Sequence, residues 1–253
     1  MGARENACRF RPIVVDNRST DGSGELARSL GAAIVTETAR TTDGRSLPLE
    51  ITRWCGRPDD ADEELLAHCS GPVLDVGCGP GRLTVALTER GIPALGVDIS
   101  RAVIARARQA GAPALHRSVF EPLPGEGRWA TVLLADGNIG IGGHPARLLL
   151  RCAQLLAPDG QLLIEADPGD VDERMTACLE HPDGRRGPLF PWARVGNTAL
   201  LRAVADAGLS VTKQWRYADR AFACAVKCDR SSRAEPAVSH ARRGRPGAAR
   251  RPG

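Results

Sequence analysis

Aromatic side chains are scarce in this 253-residue chain: four Phe, four Trp and one Tyr make up 4% of it. A core must therefore be filled by Ala, Val and Leu, and the apolar share of 42% is enough for one. Paired-cysteine spacing is missing too. The eight cysteines (8, 55, 69, 78, 152, 178, 224, 228) contain no C-x-x-C, and the histidines at 68, 116, 144, 181 and 240 are scattered. This speaks against a metal site or a disulfide framework and for reduced, mostly buried thiols in a cytoplasmic protein. No apolar run approaches the roughly 18 residues of a membrane span, and no secretory apolar segment opens the chain. The expectation is a soluble, intracellular protein with no membrane partner. Excess charge is absent from most of the chain as well. The formal net charge of +4 collects between Asp229 and Gly253, where seven arginines stand against Asp229 and Glu235. The remainder is close to neutral, which makes a nucleic-acid partner unlikely to be recruited by the folded part. Nothing in the sequence bears on oligomeric state.

What is present is concentrated in Val73-Leu74-Asp75-Val76-Gly77-Cys78-Gly79-Pro80-Gly81-Arg82-Leu83. Val73 to Val76 read as a short buried strand, and from Leu83 onward the apolar residues return at helical spacing. The glycines form the turn between them, which sets backbone N–H groups and a positive helix end beside a ligand. A dinucleotide-binding turn needs G-x-G-x-x-G, and Arg82 stands where its third glycine would fall. The turn is G-x-G-x-G, with Asp75 two residues ahead. The next strand, Ala94 to Ser100, carries Asp98 17 residues after Gly81. A carboxylate there can accept both hydrogen bonds of a vicinal diol. Turn and acid together argue against a bare tight turn with Asp98 as a helix cap.

This stretch resembles motif I of the class I S-adenosylmethionine-dependent methyltransferases. The resemblance covers about Gly71 to Val226 and is specific over residues 73 to 100. It implies an α/β fold: a Rossmann-like, doubly wound, seven-stranded sheet of order 3-2-1-4-5-7-6 with its last strand antiparallel, plus small accessory β-hairpins. It also implies S-adenosyl-L-methionine as cofactor, held by Asp75, Gly77, Cys78, Gly79, Gly81, Asp98, Ile99, Ser118 and Val119. The third strand, Ala114 to Phe120, departs from the family pattern. Leu123-Pro124 follow it, but the acid that usually meets the adenine is replaced by Ser118, Val119 and Phe120. Ser118, a backbone carbonyl or Glu121 could take that contact. No N-P-P-Y motif follows the fourth strand, Ala130 to Ala135; Asp136-Gly137-Asn138-Ile139 stand there, which counts against methylation of a nucleic-acid base.

Around this domain, assigned to residues 71–227, composition suggests a poorly ordered N-terminus (1–23), a hairpin and capping helix (24–70), and a disordered basic tail (228–253). Asp43-Gly44 between residues 32–38 and 46–51 signals a hairpin outside the main sheet, with Pro48 on an exposed edge. An insertion at about 168–195 holds a second one, its strands 175–180 and 188–193 flanking His181 to Arg186. Ligands of open α/β sheets sit beyond the carboxyl ends of the strands, so the loop after strand four supplies acceptor-side candidates: His144 as a base, Asp136 and Asn138 as orienting groups. Each also fits plain turn or cap chemistry. Trp54 reads as either a packing residue or a substrate-site aromatic. Phe190 and Trp192 are candidate pocket walls, and Arg174, Arg185 or Arg186 candidate contacts for an acidic substrate group. The function implied is methyl transfer to a small-molecule acceptor by in-line displacement. The alternatives are an RNA or protein methyltransferase that uses the basic tail, and a non-catalytic cofactor-binding protein.

Overall fold

The computed structural model describes residues 38–180 and 184–228. The regions read as a disordered N-terminus and a basic tail lie outside the described residues, apart from Cys228, as does the segment 181–183 at the tip of the second hairpin.

Eleven strands among the described residues form two sheets. The larger takes β3 (Val73–Val76), β4 (Ala94–Asp98), β5 (Ala114–His116), β6 (Trp129–Leu134), β7 (Leu156–Ala166), β10 (Leu209–Tyr217) and β11 (Arg220–Lys227) in the order β10-β11-β7-β6-β3-β4-β5. The five strands from β7 to β5 are parallel, and β11 runs antiparallel to both β7 and β10. Counted within this sheet the order is 3-2-1-4-5-7-6, as the motif resemblance implies. The apolar runs explain why these strands lie in the middle. Leu74, Val132, Leu134, Leu162 and Ile164 pack on one face against α5 (Pro145–Leu155) and α6 (Asn197–Asp206). Val73, Leu133 and Leu163 point the other way, onto Leu65 and Leu66 of α2 (Asp60–Ala67) and Leu83 and Leu87 of α3 (Arg82–Glu89). Alternate residues of one strand thus serve two helical layers, which only a sheet covered on both sides requires.

Local signals fix the helix starts. Asp59 and Asp62 form a reciprocal capping box at α2, each side chain accepting the other's backbone N–H at 2.8 and 3.0 Å. Ser100 caps α4 (Arg101–Gln109) through the Val103 N–H.

The smaller sheet joins the two hairpins. β1 (Thr38–Thr41) and β2 (Ser46–Pro48) form the first, β8 (Asp172–Glu180) and β9 (Phe190–Val195) the second, and β1 pairs with β8 so that Ala39 faces Leu179. The order is β2-β1-β8-β9, which leaves Pro48 on an edge strand. Three local expectations change. The third main strand stops at His116, because the chain turns at Ser118, whose carbonyl accepts the Glu121 N–H. Ala157 to Gly160, read as a turn before strand five, is a bulge within β7: Trp129 pairs with Leu156 and Thr131 already with Gln161. The loop after β6 contains a short 3-10 helix, Asn138–Gly143, packed under β9. Among the described residues, no helix is long and apolar enough to cross a membrane.

Candidate functional site

The glycine turn lies at the carboxyl end of β3, where strand order reverses between β4 and β6. All three glycines have positive φ, at +74° (Gly77), +55° (Gly79) and +89° (Gly81). Their neighbours differ. A Cβ on Gly77 would lie 2.7 Å from the Asn138 amide, and one on Gly81 would press on Ala107 and Ala112. A Cβ on Gly79 would meet nothing, so this glycine opens the backbone toward free space. The turn is pinned from below: the Gly77 and Cys78 N–H groups both donate to the Val97 carbonyl, at 2.8 and 3.1 Å. Asp98 joins it from the side, accepting the Gly79 N–H at 3.2 Å on one oxygen and the Ser100 N–H at 2.8 Å on the other. Burial pushes the Asp98 carboxyl above its ordinary range, and the N–H donors oppose that shift.

Asp75 lies deeper. Its carboxyl accepts the Thr84 hydroxyl at 2.7 Å, and it is pushed up to about 7, chiefly by burial, with Asp136 and Asp98 adding repulsion. Thr84 opposes the rise.

Above the turn is a cavity of about 590 Å³ between the strand ends and the small sheet. Asp75, Gly77, Cys78, Gly79, Asp98, Ile99, Ser118 and Val119 all line it. Gly81 does not; it packs α3 against α4 instead. Glu121, one of the alternatives for the adenine contact, is exposed and accepts the Ser118 N–H at 2.8 Å, away from the cavity wall. The roof comes from Trp54, at the end of α1 (Ile51–Trp54), and from Leu47, Leu179, Phe190 and Trp192 of the small sheet. Phe190 and Trp192 meet edge to face at 6.2 Å.

The acceptor-side candidates fall out differently. His144 is exposed at the head of α5, just after the 3-10 helix, and is not among the residues that line the cavity. Asn138 lines the cavity, but its amide donates to the Val76 and Gly77 carbonyls, both at 2.9 Å, and so holds the glycine turn. Asp136 also lines it, in the left-handed region (φ +54°) and ion-paired on both oxygens, to Arg53 and Arg82 at 2.7 Å each. Arg174 is exposed and pairs with Asp172, on the opposite face of β8 from the cavity-lining Ala177 and Leu179. Arg185 and Arg186 are exposed, and Arg186 bonds Glu180. Arg82, Arg117 and Arg194 line the cavity, and Arg194, on β9 of the small sheet, is held by Asp167 at 2.8 and 3.0 Å. Strand alternation carries the signal for it, because Arg194 is two residues beyond Trp192 and shares its face.

Beside the turn, Arg53, Arg82 and Arg220 interleave with Asp59, Asp62, Asp136 and Glu165. Arg82 contacts Asp62, and Arg220 bonds Glu165 through two nitrogens at 2.7 Å each and Asp62 at 2.9 Å. The Asp136 N–H donates to Glu165 at 2.6 Å. The network ties the N-terminal segment carrying Trp54 to the ends of β6, β7 and β11. Among the described residues Cys69, Cys78, Cys152, Cys178, Cys224 and Cys228 are free thiols, and no cluster of His, Cys, Asp and Glu could hold a metal ion.

Residues 53–214 match the family described as methyltransferase domain. Among curated proteins, the chain is 32% identical over 101 residues to a ubiquinone biosynthesis O-methyltransferase of Pseudomonas paraeruginosa, covering 36% of this chain and 42% of that protein. It is 34% identical over 99 residues to a trans-aconitate 2-methyltransferase of Delftia acidovorans, covering 37% of each. The chain thus spans about two-fifths of the length of these curated relatives. Among solved structures, it superposes on a SAM-dependent methyltransferase from Bacteroides fragilis, determined in complex with S-adenosyl-L-homocysteine. The TM-score is 0.66 at 20% identity, over 76% of this chain and 87% of that one.

Proposed function

The chain belongs to the methyltransferase-domain family, and from that premise we propose that it transfers a methyl group from S-adenosyl-L-methionine to a small, largely apolar acceptor. The observation that carries this reading is the open backbone at Gly79 beside the Asp98 carboxylate, on the wall of a cavity large enough for cofactor and acceptor together. When bound there, the cofactor supplies a methyl group already activated on a sulfonium centre.

The residues of this chain then have three tasks. Asp98 has lone pairs for the ribose diol, and Gly79 admits the ligand close to the main chain. Asp75 sits beneath the turn as a carboxyl whose charge a cationic ligand would favour. Asn138 keeps the turn rigid by holding two of its carbonyls. The roof of Trp54, Leu47, Phe190 and Trp192 excludes water and aligns an acceptor by shape, which is most of what a displacement at an activated methyl needs. Among the described residues, the carboxylates on the cavity wall are all hydrogen-bonded or ion-paired: Asp75 to Thr84, Asp98 to two N–H groups, Asp136 to two arginines, Asp167 to Arg194. This favours acceptors that bring a lone pair free at neutral pH, such as aromatic amines or carboxylates, over alcohols and alkylammonium groups that need a protein base.

Incubating the full chain with S-adenosyl-L-methionine and a panel of small apolar amines, phenols, carboxylic acids and alcohols tests the proposal. Acceptor-dependent formation of S-adenosyl-L-homocysteine is the expected result. Turnover confined to RNA or protein acceptors would overturn it.

A further inference from the structure

The large sheet gives the cavity two ends. Asp98 closes β4 and Asp167 follows β7, with β3 and β6 between them. At one strand spacing per step, the ends of β4 and β7 stand about 14 Å apart. A cofactor whose diol lies at Asp98 and whose sulfur passes the turn on β3 leaves the β7 end to the acceptor.

That end is roofed by β9, whose Phe190, Trp192 and Arg194 share one face and all line the cavity. The other two arginines on the lining are committed elsewhere. Arg82 is buried against Asp62 and Asp136, and Arg117 follows β5, on the Asp98 side, where it donates to the Pro122 carbonyl at 2.9 Å. Arg194 differs from both. Its Nε and Nη2 meet a single oxygen of Asp167, at 3.0 and 2.8 Å, and its Nη1 meets Glu173 only at 3.4 Å. Glu173 is itself held more closely by Arg45, at 3.1 and 3.2 Å. Three of the five guanidinium N–H groups are thus engaged, and two remain. The side chain is 36% exposed, so a ligand can reach it. Nor is the pair needed to hold β9 in place, because the Asp167 N–H already donates to the Val195 carbonyl at 2.8 Å. The second oxygen of Asp167 accepts the Gly169 N–H at 2.9 Å, which fixes the carboxylate and, through it, the guanidinium. A planar fork held by one edge, with donors left over beside two aromatic rings, suits a carboxylate on an aromatic frame.

We propose that Arg194 selects the acceptor by binding a carboxylate at the end remote from the methylated atom, with an aromatic ring between them lying against Phe190 and Trp192. The acceptor class is then an arenecarboxylate that carries a second, nucleophilic group. This deepens the methyl-transfer reading above and rests on it. Asp167 and Glu173 already share the charge of Arg194, so the preference for an anion is moderate, about tenfold.

The test titrates the complex of the full chain with S-adenosyl-L-homocysteine, by ligand-observed NMR, with amino- and hydroxy-substituted benzoates and naphthoates and with the primary amide of each. The amide keeps the shape and loses the charge. The wild type should bind at least one acid about tenfold more tightly than its amide. Arg194→Gln should bring acid and amide within about twofold of each other, with S-adenosyl-L-homocysteine bound as before, and Arg194→Lys, which keeps the charge but not the fork, should retain part of the preference. An Arg194→Gln variant that keeps the preference, or that weakens acid and amide alike, would overturn the assignment. If Arg194→Gln loses S-adenosyl-L-homocysteine as well, Arg194→Lys decides: a surviving preference supports the assignment, and its absence overturns it. A wild type that binds S-adenosyl-L-homocysteine but no acid more tightly than its amide sinks the assignment and leaves the cofactor reading standing. A wild type that binds no S-adenosyl-L-homocysteine brings down the cofactor reading, and the assignment with it.

Discussion

Replacing Asp75 by an asparagine should make the protein's stability less dependent on pH, and the size of the effect follows from where the carboxyl sits. Asp75 is 2% exposed, receives one hydrogen bond from Thr84, and is pushed up to about 7 from a carboxylate's ordinary value by burial, with Asp136 and Asp98 adding to the rise. The folded chain therefore holds a proton on Asp75 across a range in which the unfolded chain has released it. Stability must fall as pH rises from about 4 to about 7, because in that window the folded state binds more protons than the unfolded one. Each pH unit is worth about 1.4 kcal/mol, so between pH 5 and pH 8 the wild type should lose about 2.5 kcal/mol through this one group. The amide that replaces the carboxyl in the variant does not titrate. In urea melts at pH 5, 6, 7 and 8, Asp75→Asn should gain on the wild type by about that amount over the series, or roughly 5–10 °C in thermal midpoint. Parallel pH profiles for the two proteins would refute the reasoning, since they would mean that Asp75 is ionised throughout or reaches solvent. The same group bears on binding: a cationic ligand over Asp75 should expel its proton near neutral pH. Calorimetry of S-adenosyl-L-methionine in two buffers of different ionisation enthalpy would then show proton release.

Gly79→Val adds a branched side chain at φ +55°, which costs about 1–2 kcal/mol, and fills the open space above the turn; the variant should fold, melt a few degrees lower and show no calorimetric signal with S-adenosyl-L-homocysteine. Asp136→Ala leaves Arg53 and Arg82 without their shared partner beside the turn, and denaturant unfolding should show a loss of about 3–5 kcal/mol. His144→Ala should leave both melting temperature and turnover of any acceptor found within about twofold, as expected for an exposed side chain.

The parts of the fold that could be read in the sequence were those with a local signature. Buried runs such as Val73–Val76 and Trp129–Leu134 had to be interior strands, and the glycine spacing with Asp98 set the switch point between them. Asp43-Gly44 marked the first hairpin. Its union with the second was not legible, because the contact that makes one roof of them, Ala39 opposite Leu179, spans most of the chain and has no local signal. The site divides along the same line. Asp75, Gly77, Gly79 and Asp98 lie together because one turn brings them there. His144 lies outside the cavity lining because the 3-10 helix after β6 sets its position, which loop composition does not reveal. Arg194, which lines the cavity, was not among the candidates, although strand alternation puts it on the face of Trp192. The partners of Asp136 are arginines at positions 53, 82 and 220, and only the folded chain assembles them.

Isothermal calorimetry of S-adenosyl-L-homocysteine against the wild type and Asp98→Ala is the most direct measurement. The wild type should bind one equivalent, and removing a carboxylate that offers two hydrogen bonds to a diol should weaken binding by about a hundredfold with the fold retained by circular dichroism. Folded wild-type protein that takes up no ligand, or an Asp98→Ala variant that binds as tightly as the wild type, would contradict the account.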